Sequence, residues 1–415
     1  MPAVLTKTMA SDPPAVSAAS NVSNKDLPGS HAPVVWVLAD HKLGHTRQSI
    51  ALVDELGWPY EVKQLAFNHR RRWSNLWLGA TTLSLDRTKS AELSPPWPDL
   101  VIATGRAAAP ISRWIKARSG GRTRIVQLGR RGTDQRAGAF DLSVSCGFFG
   151  LPPHPRRVET LAPIAAIPPE DLRQAGERWR DLFAGRPRPH VALLVGGSTK
   201  VNLLDTGVAV RMASDVSASV EAAGGSLMIV TSPRTGNDVI GALRANLAAG
   251  ARLYEWTRGD PDNPYLGCLA VGDILIVTGD SESMLAEAAA TTKPLYIYPL
   301  PVLAAGTRRR RLRAVVGAYA KAEAAATTPL LHRLARIVHI LGVVRPPREL
   351  DELHRRLIDG GFARPYGAVL DVKPRAPLDE VPAVAAEVRR IMKQQKPANR
   401  GRERTRAETL RTESR

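Results

Sequence analysis

The stretch VTGDSESMLAEAAATTKPLYIYPL, residues 277–300, joins an apolar strand pattern to a group of polar residues suited to ligand binding. Asp280, Ser281 and Ser283 stand where the strand gives way to a helix, and residues of these types cap helix N-termini well. Capping does not explain Glu287, a carboxylate inside a helix of small apolar residues. It lies one turn beyond Ser283 on the same helix face, where it can accept two hydrogen bonds from a ribose. The stretch therefore predicts a nucleoside site centred on Glu287.

Two other loops that follow predicted strands carry the chemistry of an anion site. The sequence GGSTK offers backbone N–H groups and hydroxyls to phosphate oxygens, and TSPRTG adds hydroxyls and a planar guanidinium. Each loop alone is better explained as an ordinary strand-to-helix turn, but two adjacent strand ends with the same chemistry favour a diphosphate site. The residues predicted to contact this ligand are Gly196, Gly197, Ser198, Thr231, Ser232, Arg234, Thr235, Asp280, Ser281, Ser283 and Glu287.

The first half of the chain has a matching loop, DHKLGHTRQ, after its first predicted strand. Histidine titrates near neutral pH, so His45 is the candidate general base, and Asp40 is a second candidate catalytic residue in the same loop. The alternative is that His45 only orients the helix that follows. Gly44 in this loop, and Gly105 with Arg106 after the third strand, predict a second anion-binding surface on the acceptor side.

The elements that must position these loops are short apolar runs that alternate with helical patterns. Such alternation predicts parallel sheets covered by helices on both faces. In this architecture ligands bind beyond the carboxyl ends of the strands, in the crevice between lobes. The fold class predicted is therefore α/β, with two facing, doubly wound Rossmann-type lobes. The predicted strands are 34–39, 60–66, 100–105, 124–129, 140–145, 157–162, 190–197, 225–232, 251–256, 273–279 and 294–299.

Composition shifts divide the chain into five predicted segments. A proline-rich stretch and a solvated helix place the domain boundary around 165–188. Just before the strand at 273–279, the sequence NPYLGCLAVGD (263–273) predicts a turn that can close over the base of a bound nucleotide. The segments are a disordered leader (1–32), an N-terminal acceptor-side lobe (33–170), a C-terminal donor-side lobe (188–345), a helical segment (346–392) and a basic disordered tail (393–415).

The bulk composition restricts the classes of partner and compartment. The 415 residues carry a formal net charge of +19, which favours anionic partners. Aromatic residues make up only 5% and form no stacking array, which argues against nucleic acid. The two cysteines predict neither a disulfide framework nor a thiolate metal site, and no signal-peptide core or membrane-spanning run occurs. We therefore expect a cytoplasmic protein.

Two basic stretches extend this expectation to membranes. NHRRRWSNLWLG at 68–79 interleaves arginine with tryptophan, and TRRRRLR at 307–313 is a dense basic run. Both can face an anionic glycolipid acceptor or the headgroups on the inner face of the cytoplasmic membrane. The alternative is that both are solvated basic helix ends.

Taken in order, the motifs WVLADHKLGHTRQS, PDLVIATGR, LVGGS, TSPRT and DILIVTGDSESMLAEA resemble the mitochondrial fission Elm-like family of glycosyltransferases. The match runs from about Val34 to Pro299. The resemblance implies a GT-B-like fold with a nucleoside-diphosphate sugar as donor substrate in the C-terminal lobe. It also implies that Glu287 binds the donor ribose, and that neither a metal nor another cofactor is required.

The acceptor-side lobe departs from the family pattern at two places. Cys146 and Gly147 stand where the family has a Pro-x-His-Asp stretch, and residues 129–132 replace a Pro-Arg pair. The function implied is a metal-independent transfer of a sugar to a cell-envelope acceptor, such as lipopolysaccharide core. One alternative is a membrane-associated interaction protein of the mitochondrial-fission type, without catalysis. A sugar-nucleotide epimerase is less compatible, since neither a dinucleotide fingerprint nor a Tyr-x-x-x-Lys pair occurs.

Overall fold

The computed structural model describes residues 32–40, 43–129, 139–149, 151, 154–164, 167–303, 311, 350–367 and 369–394. The predicted leader and basic tail, and the basic run at 307–313, lie almost entirely outside these residues.

The N-terminal lobe is built on a six-stranded parallel sheet in the order β2-β1-β3-β4-β5-β6. The residues of β1, β3 and β5 are buried along their whole length. Such strands form from continuous apolar runs because helices or loops cover both faces of the sheet. The strands are β1 (Val35–Ala39), β2 (Tyr60–Gln64), β3 (Leu100–Thr104), β4 (Arg124–Leu128), β5 (Leu142–Cys146) and β6 (Arg157–Thr160).

The C-terminal lobe repeats this design with a parallel sheet in the order β12-β11-β10-β7-β8-β9. Its central strand β10 pairs with β7 and β11, so the loops after these strands open at one edge. The strands are β7 (His190–Leu194), β8 (Ser226–Val230), β9 (Arg252–Tyr254), β10 (Ile274–Thr278), β11 (Leu295–Tyr298) and β12 (Arg364–Pro365).

Helices alternate with the strands in both lobes. They are α1 (Leu43–Leu56), α2 (Asn75–Leu78), α3 (Ala109–Arg118), α4 (Pro169–Arg178), α5 (Thr206–Ala222), α6 (Asn237–Asn246), α7 (Tyr265–Val271), α8 (Glu282–Ala289), α9 (Leu350–Asp359) and α10 (Val381–Lys393). The α/β fold class with two doubly wound lobes is thus confirmed, and each of the eleven predicted strands exists within a few residues of its expected bounds.

Three local expectations were wrong. Residues 265–271 form helix α7 rather than an open turn. Helix α1 begins at Leu43, so His45 lies in its first turn rather than in a loop. Helix α4 is not simply solvated, because Leu172 packs against the core of the C-terminal lobe and Ala175 is buried. These differences depend on how the segments pack in the folded chain, which the local sequence pattern does not show.

The C-terminal segment returns to the first lobe after contributing to the second. Strand β12 pairs with β11, and the backbone of Leu378 then donates to Ala289 O at the end of α8. Glu380 accepts backbone hydrogen bonds from Leu161 and Ala162. Helix α10 buries Val384 and Val388 in the core of the N-terminal lobe. This crossing ties the two lobes together near their connection.

A shared apolar core also joins the lobes. Phe148 and Phe149 follow β5 in a single 3-10 turn and are buried in the same cluster as Leu353 of α9. A Cβ at Gly147 would displace the guanidinium of Arg356, the far end of a flexible and partly exposed side chain. The departure from the family motif at Cys146 and Gly147 therefore lies in an interlobe contact.

Candidate functional site

Three loops of the C-terminal lobe meet at the carboxyl edge of its sheet. The N–H of Gly196 donates to Thr278 Oγ1 (2.8 Å), and the N–H of Gly197 donates to Asp280 Oδ2 (3.0 Å). The Gly196 carbonyl accepts from the hydroxyls of Ser232 (2.8 Å) and Thr235 (2.5 Å). The sequence-predicted loops are therefore brought together, with many of their polar groups bonded to one another.

Asp280 is the centre of this network. Its side chain is fully buried, accepts from Thr278 Oγ1 at 2.7 Å, and pairs with Arg234 Nη1 at 2.6 Å. A Cβ on Gly196 would collide with the carboxylate, so this residue must be glycine for the loop to approach it. Burial of a paired carboxylate suits a structural anchor better than a ligand for phosphate. The partly exposed guanidinium of Arg234 is the group that can extend to an anion.

The remaining hydroxyls of the first two loops are also used within the protein. Ser198 Oγ donates to Leu204 O and accepts from its N–H, both at 2.9 Å. Thr231 Oγ1 accepts from the N–H of Trp256 at 2.8 Å. No helix starts directly after GGSTK, because α5 begins at Thr206 and its N-terminus is capped by Asp205. The glycine loop therefore offers less to a phosphate than its sequence indicates.

The N-terminus of α8 is more open to an anion. Ser281 occupies the N-cap position, but its side chain makes no capping hydrogen bond. Ser283 is exposed in the first turn. Backbone N–H groups in the first turn of a helix have no partner within the helix and carry a partial positive charge. This end of α8 therefore offers backbone donors to an anion, while Glu282 in the same turn adds a negative charge.

Glu287 faces the N-terminal lobe from the same helix. The hydroxyl of Tyr265 donates to its Oε2 at 2.5 Å. Burial raises the pKa of the Glu287 carboxyl, although the Tyr265 hydrogen bond and the charge of Arg47 act in the opposite direction. Arg47 belongs to α1, so Glu287 lies within electrostatic range of the opposite lobe. The Glu287 carboxylate thus accepts a hydrogen bond from a phenol of its own lobe and lies in the electric field of a cation from the other lobe.

Glu287 also lines a cavity of about 470 Å³ between the lobes. Its walls include Ala51 and Asp54 of α1, Ile167 of the linker, and Leu378 of the C-terminal segment. A volume of this size is typical of small-molecule sites, which are largely apolar with a few directed polar groups.

The N-terminal lobe brings its predicted catalytic pair together. His45 Nδ1 lies 3.1 Å from Asp40 Oδ2, and the histidine side chain remains 29% exposed. Gly105, with φ +80°, lies beneath this ring, and a Cβ there would be 2.6 Å from His45 Cε1. Glycine is required here for both the backbone conformation and the space. The backbone of Gly44 belongs to the first turn of α1.

Arg106 has a role that sequence reasoning did not assign to it. Its guanidinium donates to the carbonyls of Trp73 and Arg71, while its own carbonyl accepts from Asn75 Nδ2 at 2.9 Å. The side chain therefore fastens the segment 71–75 to the carboxyl edge of the first sheet.

Three site residues were not predicted as such. Tyr265 belongs to the stretch 263–273, for which the sequence predicts a turn. Arg47 lies two residues after His45, and its sequence position was not assigned a role. His354 Nε2 lies 2.8 Å from Gly279 O, directly below the α8 entry loop, and burial lowers the pKa of its imidazole. Only Arg47 had a usable sequence signal, namely a cation two residues beyond the proposed base; Tyr265 and His354 depend on tertiary contacts.

Within the described residues, no group of three or more His, Cys, Asp or Glu side chains is placed to hold a metal ion. Independence from metals remains a prediction. No described helix is both long and apolar enough to cross a membrane.

Two Rossmann-like lobes, each built on a six-stranded parallel sheet and joined through a shared apolar core, define a GT-B-like architecture. The sequence model of the family described as "Mitochondrial fission ELM1" matches residues 43–336. The chain belongs to this family.

Two relatives are similar to this chain over different lengths. The mitochondrial fission protein ELM1 of Arabidopsis thaliana is 34% identical over 146 residues, 35% of this chain and 34% of the plant protein. The match thus spans about a third of that relative. An uncharacterized protein of Rickettsia prowazekii (strain Madrid E) is 24% identical over 304 residues, 64% of this chain and 83% of that protein.

Solved structures with similar folds include a UDP-GlcNAc 2-epimerase of Methanocaldococcus jannaschii, at TM-score 0.46 and 9% identity, covering 87% of this chain and 100% of that one. The glycosyltransferase SnogD of Streptomyces nogalater has TM-score 0.38 and 14% identity, with 87% and 100% coverage. Likenesses at this level carry no information about substrate or mechanism.

Proposed function

We propose that this protein is a glycosyltransferase that uses a nucleoside-diphosphate sugar and delivers the sugar to a cell-envelope acceptor. The observation that carries the proposal is the position of Glu287. It is a partly buried carboxylate on the wall of the interlobe cavity, five residues beyond the first residue of α8. A ribose at this carboxylate would place its attached diphosphate near the helix N-terminus.

The contacts around Glu287 support a role in binding a diol. Tyr265 occupies one carboxylate oxygen and fixes the orientation of the group. The other oxygen is available to a ribose hydroxyl, and hydrogen bonds to a charged acceptor are stronger than neutral ones. Arg47 supplies a cation from the N-terminal lobe, so a bound nucleotide would contact both lobes.

The diphosphate would be held by the first turn of α8, by Ser281 and by the exposed part of Arg234. These groups oppose the negative charge that develops as the bond from the anomeric carbon to the diphosphate oxygen breaks. The loops that carry these groups are held in place by hydrogen bonds within the protein. The residues that make them include Asp280, Ser232 and Thr235.

The acceptor hydroxyl would enter from the N-terminal lobe. If the reaction inverts configuration, the hydroxyl oxygen attacks the anomeric carbon and its proton passes to His45. With Nδ1–H donated to Asp40, the Nε2 atom of His45 is free to take that proton. The basic charge of the chain favours an anionic glycan or glycolipid acceptor, on the inner face of the cytoplasmic membrane.

Donor binding can be tested with thermal shift measurements on the full chain across nucleoside diphosphates and their sugar conjugates. We expect one nucleotide class to raise the melting temperature of the wild-type protein. Glu287→Ala should weaken the affinity by roughly ten- to hundredfold, because a hydrogen bond to a charged group is lost. Glu221→Ala removes the same charge from an exposed position on α5 and is the matched control.

Catalysis is tested separately once a donor is identified. His45→Gln should retain donor binding and lose release of the free nucleoside diphosphate in the presence of acceptor. Equal turnover by His45→Gln and the wild type would exclude His45 as the base while leaving the donor site intact.

A second candidate is an interaction protein that keeps the fold without catalysis. The observation in its favour is that many polar groups of the proposed diphosphate loops already hydrogen-bond to one another. Asp280, for example, forms an ion pair with Arg234. The name of the plant relative, a mitochondrial fission protein, points in the same direction. If no nucleotide shifts the melting temperature of a folded protein, this second function is favoured over the first.

A further inference from the structure

The N-terminal lobe exposes an apolar surface on the segment between β2 and β3. Trp77 is 83% exposed, Trp73 and Leu76 are each 50% exposed, and Leu83 is 49% exposed. Among the described residues, every exposed tryptophan and leucine lies within this surface, while the other exposed large hydrophobic residues are Val34, Tyr60, Val210, Val302, Val369 and Val372. We call Trp73, Leu76, Trp77 and Leu83 the Trp surface. Exposed apolar residues concentrated in one place indicate an interaction site.

Basic side chains border the Trp surface. His69, Arg71 and Arg72 are exposed, and Arg70 lies with its guanidinium carbon 5.8 Å from the Trp73 ring centroid. Tryptophan with arginine is the combination found at membrane–water interfaces, where the rings enter the headgroup layer and the cations attract anionic lipids. A bilayer is favoured over a protein partner because no acidic residue occurs between residues 68 and 85.

The Trp surface is held in a defined shape rather than on a free loop. Asn68 Nδ2 donates to the carbonyl oxygens of Leu83 (2.9 Å) and Leu85 (3.2 Å), which holds the two ends of the surface together. Leu78 is buried beneath it and is 2% exposed. The exposed rings therefore project from an anchored turn.

The same surface is attached to the edge of the candidate site. Arg106 donates to the backbone carbonyls of Arg71 and Trp73. The residue before it, Gly105, lies under the His45 ring. A bilayer that contacts the Trp surface would therefore lie beside the His45 end of the cleft.

We propose that the Trp surface docks this protein on an anionic lipid bilayer and presents the His45 side of the cleft to an acceptor anchored in that bilayer. The proposal deepens the proposed function, because it names the surface that contacts the membrane and the class of acceptor, a lipid-linked one. The docking itself does not depend on catalysis.

The test is co-sedimentation of the full chain with vesicles of phosphatidylcholine alone and of phosphatidylcholine with 30% phosphatidylglycerol. Wild-type protein should bind the anionic vesicles. The double variant Trp73→Ser, Trp77→Ser should bind on the order of tenfold more weakly, because the interfacial apolar area is lost. The triple variant Arg70→Gln, Arg71→Gln, Arg72→Gln should lose about a hundredfold, since each cation near an anionic surface contributes about fivefold.

Matched controls separate this surface from the general basicity of the chain. Val369→Ser with Val372→Ser removes exposed apolar groups elsewhere, and Arg180→Gln, Arg211→Gln, Arg258→Gln removes three exposed charges around the second lobe. Neither control should weaken binding comparably. Equal losses in the two triple variants, unaltered binding of the tryptophan variant, or no binding by the wild type would each overturn the proposal.

Nucleotide thermal shifts on the same variants keep the two proposals distinguishable. The tryptophan variant should retain the donor-induced shift, because neither ring touches the donor site. Loss of vesicle binding with a retained nucleotide shift supports both proposals. Vesicle binding without any nucleotide shift supports docking alone.

Discussion

Both lobes are built on a six-stranded parallel sheet, although their strand orders differ. In each lobe a carboxylate with little exposed surface follows a strand, but the groups bound to it differ. In the C-terminal lobe, the carboxylate of Asp280 has no exposed side-chain surface and binds Arg234, Thr278 and the Gly197 backbone. In the N-terminal lobe, Asp40 pairs with a histidine whose side chain is 29% exposed, beside an exposed aromatic surface.

This difference indicates a division of labour within the repeated fold. The bonded loops of the C-terminal lobe are preorganised, which suits a ligand of fixed shape such as a nucleotide. The N-terminal lobe keeps an accessible base and an exposed docking surface, which suits a larger and more variable acceptor.

The largest expected effect is on folding stability when Asp280 is removed. Asp280→Ala should lower the free energy of unfolding by about 3 kcal/mol, since it removes a buried carboxylate that accepts three hydrogen bonds, from Arg234, Thr278 and the Gly197 N–H. Denaturant titration measures this. Ser283→Ala, at an exposed position in the same segment, should change stability by less than about 0.5 kcal/mol. A negligible loss in Asp280→Ala would contradict the structural role assigned to this carboxylate.

The corresponding change in the other lobe should cost less. Asp40→Ala should lower the free energy of unfolding by about 1 kcal/mol, because it removes a hydrogen bond to one histidine, whereas Asp280 binds an arginine, a hydroxyl and a backbone N–H. The loss of turnover should be much larger than the loss of stability, since His45 loses the acceptor of its Nδ1–H. Equal stability losses for Asp40→Ala and Asp280→Ala would remove the contrast between the lobes.

Gly105→Ala should combine a moderate stability loss with displacement of His45. A left-handed backbone costs a non-glycine residue about 1–2 kcal/mol, and the new methyl group would enter the space of the ring. Gly57→Ala carries the same backbone cost, with φ +67° and no atom within 4 Å of the new Cβ. Denaturation should show similar losses for both, whereas only Gly105→Ala should impair turnover. Similar turnover in the two variants would mean that the ring position is unimportant.

The smallest expected effect is on the pH dependence of stability. Burial raises the folded-state pKa of Glu287 above its unfolded value of 4.5, so its stabilising contribution is present below that value and is lost as the pH rises through the folded-state pKa. Glu287→Gln removes this dependence. Unfolding free energies measured from pH 4 to pH 7 should therefore rise for the variant relative to the wild type as the pH increases.

Burial also raises the pKa of Glu380, but this carboxyl is present in both proteins and its effect cancels in the difference. A difference between Glu287→Gln and wild type that stays constant with pH would show that Glu287 has an ordinary folded-state pKa.

Most of the fold was predictable because its strands are local apolar runs. VVWVLA and DILIVTG each identify a buried strand without reference to any partner. The two-residue strand β12 was missed, since Arg364 and Pro365 carry no strand pattern and pair only because the chain returns beside β11. The crossing of α10 to the first lobe was missed for the same reason: its partners lie more than 200 residues earlier in the sequence.

The candidate site was predictable as a set of positions but not as a set of roles. The sequence places Gly196, Ser232 and Asp280 after strands, and parallel pairing brings such positions to one edge. It cannot tell whether their hydrogen bonds will be made to a ligand or to one another. Ser232 and Asp280 were expected to contact phosphate, yet their polar atoms largely bind within the protein.

The sequence by itself therefore determined the alternation of strands and helices, the two lobes and the unusual position of Glu287, because these follow from local apolar patterns and from the residue types at strand ends. The tertiary structure alone decided that Tyr265 donates to Glu287 within electrostatic range of Arg47, that Asp280 is an internal anchor, and that Arg106 holds the Trp surface beside His45. These contacts join residues distant in sequence, and their energies depend on burial and geometry that no local pattern encodes.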